Sequence, residues 1–138
     1  MINKHDLAKA LLNQARLIAV NNSYNLIPNG MKYQPDPNTE YSKERVLYGP
    51  DNAIGMSDNS CDIQLGIYQI TINTPKSQDG SKWTGLKIGG VYQSGFARGT
   101  ELIYNDQKVR IKNSALSEMD SDDTHDAHAL SIKYSIIN

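Results

Sequence analysis

The sequence has little of several things that would narrow its chemistry. It contains a single cysteine, Cys61, so no disulfide can form within the chain. No basic residue adjoins Cys61 to lower its pKa, and a lone cysteine is more often a small packed residue than a nucleophile. No apolar run approaches the roughly 18 residues that a membrane span needs, and no signal peptide is expected. The formal charge of −1 gives no global pull toward nucleic acid or anionic lipid. A reduced, cytoplasmic setting is the expectation. No internal repeat, P-loop or dinucleotide fingerprint is present.

What is present reads as one domain. With 138 residues, 38% hydrophobic and 21% charged, the chain has an ordinary soluble composition and enough length to bury a core. Its strongest strand signal is Asp62 to Pro75, rich in β-branched and aromatic residues. Ile63, Leu65 and Ile67 share one face, whereas Tyr68, Ile70 and Ile72 share the other. The phase change beside Gly66 predicts a bulge or sharp twist there, in a strand with partners on both sides.

Around that strand, Asn3 to Asn21 is expected to be an amphipathic helix with Leu7, Leu11, Leu12, Ala15, Ile18 and Ala19 on one stripe. Leu26-Ile27 suggests a short edge strand, closed by the turn residues Pro28-Asn29-Gly30. Tyr41 to Tyr48 suggests a half-exposed strand, and residues 49–60 a long polar loop carrying Pro50, Ile54 and Met56. Ser81 is placed to cap a second helix, weakened by Gly85, Gly89 and Gly90, which suggest close approach to a neighbouring backbone. Glu101 to Tyr104 and Lys108 to Lys112 form a hairpin pattern. Asn113 to Ala127 reads as an acidic connection, and Ala129 to Ile137 as a last strand with Leu130, Ile132, Tyr134 and Ile136 inward. The fold class that follows is α+β: a single domain, 1–138, with a mainly antiparallel mixed sheet and two helices on one face.

Two stretches invite a chemical reading. Glu118, Asp120, Asp122, Asp123, His125, Asp126 and His128 form an acidic, histidine-bearing cluster. Aligned as a calcium loop from Asp120, it has His125 where glycine is required and Ser131 where a bidentate glutamate is required. If helical, His125 and His128 would share a metal with Asp122 or Asp123. The ordinary reading is a solvated loop in which substitutions cost little. Lys76, Gly80 and Lys82 at a helix start resemble a phosphate cradle without the glycine spacing of one. No catalytic residue, cofactor or metal ligand is assigned. Among the eight tyrosines, Tyr33, Tyr41 and Tyr48 best suit surface anchoring at an interface.

The layout resembles the tail terminator, or tail completion, proteins of long-tailed bacteriophages. The resemblance rests on the N-terminal helix, the Tyr41-Ser42 strand with its polar loop, and Leu65-Gly66-Ile67-Tyr68-Gln69-Ile70 at mid-chain. It continues through Gly80 opening a helix, Phe96-Ala97-Arg98-Gly99-Thr100-Glu101-Leu102, and the last strand ending at Ile136-Ile137. The glycine-rich second helix and the aspartate-histidine stretch depart from that pattern.

The resemblance implies a structural virion protein, not an enzyme, that caps the head-proximal end of the tail tube as a hexameric ring. Its partners would be further copies of itself, the tail tube protein and a head-completion or connector protein, with no specific nucleic-acid recognition and no membrane. Assembly would take place in the host cytoplasm. Tyr41, Arg45, Pro50, Ile54 and Met56 are the expected subunit contacts. The alternatives are another neck or connector protein, or a small metal- or phosphate-dependent enzyme.

Overall fold

The computed structural model describes residues 4–48, 65–77, 80–120 and 123–137. Among them, α1 (Lys4–Asn22) is followed by β1 (Leu26–Ile27), β2 (Tyr41–Leu47) and β3 (Leu65–Pro75). Then come α2 (Ser81–Gly95), β4 (Glu101–Tyr104), β5 (Gln107–Met119) and β6 (His125–Ile137). The strands form one sheet in the order β1-β2-β3-β6-β5-β4, so β3 and β6 lie at its centre. Every pairing is antiparallel except that of β1 with β2. The α+β class expected from the sequence is the observed one.

The core forms where the helices meet the sheet. Leu7, Leu11, Ala15, Ile18 and Ala19 of α1 share one buried cluster with Tyr68, Ile70, Ile72, Leu130, Ile132 and Ile136, with α1 lying over β4 and β5 and beside α2. Ile88, Tyr92 and Phe96 complete the core from α2, with Phe96 tilted against Tyr68 at 5.7 Å between ring centres. Gln14 of α1 donates to the Gly95 carbonyl of α2 at 2.8 Å, tying the two helices together. On β2, Ser42, Glu44 and Val46 face inward while Lys43, Arg45 and Leu47 face out. That alternation is the pattern of a strand covered on one side.

Several expectations need correction. The register of β3 with β2 and β6 is continuous, with no bulge at Gly66. Gly66 instead makes room for Tyr134, whose side chain fills the space a Cβ would need. The register shift lies in β5, between Ile111 and Asn113. Inserting Lys112 there switches the inward set from Gln107, Val109 and Ile111 to Ser114 and Leu116.

The expected acidic connection loses most of its length, because Asn113 to Met119 extends β5 and His125 to His128 opens β6. The hairpin turn between β4 and β5 contains only Asn105 and Asp106, both with positive φ, as a two-residue turn requires. Gly80, in the left-handed region at φ 72°, caps α2 in place of Ser81. The glycines of α2 meet side chains, not backbone: Gly85 abuts the His128 ring and Gly89 abuts Leu116, while Gly90 faces open space.

Candidate functional site

Three places on the described surface combine shape with chemistry. The largest is a hollow of about 540 Å³ at the end of the sheet where β2 ends and β3 begins. Leu47, Tyr48, Gly66, Ile67 and Tyr134 give it a largely apolar lining, and Lys112 and Lys133 bring two ammonium groups to it. The bulge in β5 puts Lys112 at this level of the sheet, opposite the Lys133–Tyr134 segment of β6. Tyr134 donates its hydroxyl to the Leu47 carbonyl at 3.3 Å, and burial raises its pKa. Tyr48, 40% exposed, reaches across to α1, where its ring lies under the Lys4 ammonium.

The second is a cleft of about 310 Å³ between α1 and β2, lined in part by His5, Lys9, Arg16 and Glu44. Glu44 is buried, and its Oε2 has no hydrogen-bond partner among the described residues. Desolvation raises its carboxyl pKa, opposed by the Asn29 backbone N–H and by Arg16. The Tyr68 hydroxyl, also buried and without a partner among the described residues, is pushed well above the ordinary phenol range by desolvation and then by Glu44.

The third is the polar joint between α2 and β6. The Ser81 hydroxyl donates to the Asp126 carboxylate, and Thr74 donates to the Ser81 carbonyl at 2.8 Å. His128 stands nearby with 1% exposure, and neither ring nitrogen has a partner among the described residues. Ser81, Asp126 and His128 are the components of a hydrolytic triad without its arrangement. The carboxylate holds the serine directly, and the histidine contacts neither in a hydrogen bond. No nucleophile is activated by such a joint; it fastens α2 to the sheet.

The structure separates His125 from His128. Three residues apart on a strand, they point to opposite faces of the sheet. His128 meets Gly85 of α2, whereas His125 Nε2 bonds the Thr39 carbonyl at 2.9 Å and its ring meets Tyr41 edge-on. A shared metal is therefore excluded for this pair, and no metal-holding group of three occurs among the described residues. Both histidines and Asp126 are buried, which corrects the solvated reading of that part of the cluster.

The expected contact residues fare differently from one another. Arg45 is exposed on the outer side of β2. Tyr41 is 5% exposed, enclosed between Tyr33 and His125, so its ring is an internal packing group where the sequence suggests a surface anchor. Pro50, Ile54, Met56 and Cys61 lie outside the described residues. Sequence reasoning missed the hollow, because it depends on the β5 bulge and on the pairing of β3 with β6. Trp83 and Leu86 of α2 face outward, with Trp83 77% exposed.

No protein-family model matches the sequence, and comparison with curated proteins finds no match. Solved structures do resemble it. One chain, which carries no functional description, superposes with a TM-score of 0.78 at 12% identity, covering 100% of this chain and 98% of its own. That likeness concerns the fold alone.

Proposed function

We propose that this protein is a structural component of a bacteriophage tail, a ring-forming cap at the head-proximal end of the tail tube. The observation that carries the reading is the open hollow floored by Leu47, Tyr48 and Ile67. An apolar concavity at a sheet end, without a catalytic arrangement among the described residues beside it, suits a neighbouring protein surface better than a reacting substrate. The sequence resemblance supports the identity of the assembly.

A second exposed apolar feature, Trp83 with Leu86 on α2, belongs to the helical layer. A subunit joined head to tail into a closed ring exposes two unlike faces, one for the tube and one for the head side. Exposed tryptophan is a frequent anchor at such contacts.

Native mass spectrometry of the full chain, combined with elemental analysis, tests this reading against the enzyme alternative. A closed assembly of about six copies is expected. A monomer carrying a stoichiometric metal would overturn it.

A further inference from the structure

The same β-ribbon that contributes lysines to the hollow carries its chemical complement at the other end. β5 and β6 meet in an acidic tip, where Glu118, Met119, Asp120 and Asp123 are all exposed. Met119, 45% exposed, is an apolar side chain between Glu118 and Asp120 in the chain, with Lys82 of α2 lining the same small pocket as Glu118 and Met119. The hollow offers the reverse: an apolar floor flanked by Lys112 and Lys133. None of these lysines and carboxylates is held in an ion pair among the described residues. Measured along β6 from Ala127 to Lys133, tip and hollow stand about 20 Å apart, at opposite ends of the sheet.

We propose that the acidic tip of one subunit docks in the hollow of the next, with Met119 on the apolar floor and its flanking carboxylates on Lys112 and Lys133. The occupant is a second copy of this chain, so the inference rests on the ring reading and gives it a specific contact. Charge sets tip against hollow in either arrangement: a two-fold pair would exchange both contacts and stop at a dimer, whereas a head-to-tail contact uses one of each and leaves the others open. Because the two ends sit on different parts of the surface, each added subunit presents a fresh hollow or a fresh tip. Repetition then makes a ring if the rotation closes. Salt should weaken the contact, since both partners are exposed before they meet.

Charge exchange tests the pairing. One variant carries Lys112→Glu with Lys133→Glu, and a second carries Asp120→Lys with Asp123→Lys. All four sites are exposed, so both variants should fold, as circular dichroism will check. Sedimentation of the full chain at low salt and rising concentration should show assembly of the wild type. Each variant alone should lose about tenfold or more in association constant. The 1:1 mixture should recover assembly, because each variant then meets a complementary partner.

Wild-type assembly with both variants unaffected overturns this contact and leaves the ring reading standing. Loss in both variants without recovery on mixing also overturns it. A wild type that stays monomeric throughout overturns the contact and the ring reading together.

Discussion

Gly66 and Tyr134 face each other across β3 and β6, and the tyrosine side chain occupies the space that a Cβ at residue 66 would fill. The Leu47 carbonyl stands 2.7 Å from that same Cβ position and also accepts the tyrosine hydroxyl. One glycine therefore decides whether the hollow keeps its floor. Gly66→Ala should cost roughly 1–3 kcal/mol by overpacking, read by urea denaturation. A change under about 0.5 kcal/mol would mean that Tyr134 moves aside freely.

The centre of the sheet sets the largest single loss. Ile70 is fully buried between Glu44 of β2 and Leu130 of β6. Ile70→Ala should remove roughly 2–5 kcal/mol of stability. A loss well below 1 kcal/mol would contradict the placement of β3 at the core.

The two histidines of β6 should respond in opposite directions. His125→Ala gives up the bond to Thr39 and the packing on Tyr41, and should destabilise the fold by about 1–3 kcal/mol. Exposed Asp123→Ala should stay within about 0.5 kcal/mol. His128→Leu replaces a buried ring whose two nitrogens have no partner among the described residues by an apolar group, and should leave stability equal or raise it by about 1 kcal/mol. Thermal melts of the three variants at one pH would show this ordering. A loss of more than about 2 kcal/mol in His128→Leu would reveal a polar partner for the ring.

Glu44 should make stability fall as pH rises. Burial raises its carboxyl pKa above the ordinary 4.5, so the folded chain holds that proton more tightly than the unfolded chain does. Its contribution is most favourable below 4.5 and is lost as pH climbs through the raised folded value. Glu44→Gln should therefore gain on the wild type across that window, in denaturation curves taken at a series of pH values. Parallel pH profiles for the two proteins would remove Glu44 as the source.

Much of the architecture was legible because it follows from simple periods. The stripe from Leu7 to Ala19 and the alternation from Leu130 to Ile136 lie on α1 and β6, where those patterns place them. The second half of β5 was not legible, because the bulge at Lys112 shifts the alternation by one residue. Counted onward from Val109 and Ile111, the inward positions become Asn113, Ala115 and Ser117, which read as a loop. The start of β6 was hidden for another reason. His125, Asp126 and His128 look like solvent residues, and only their tertiary neighbours Thr39, Ser81 and Gly85 account for their burial. Tyr41 was misjudged in the same way, since its cover comes from Tyr33 and from β6. The hollow needs four strands in register and is written in no single stretch of sequence.

Tail length tests the proposed tail-cap role most directly. If that role holds, electron microscopy of particles assembled in cells that lack this chain should show headless tubes of excessive and variable length. Supplying the chain in trans should restore one length and the joining of heads. Tails of normal, uniform length in its absence would contradict the account.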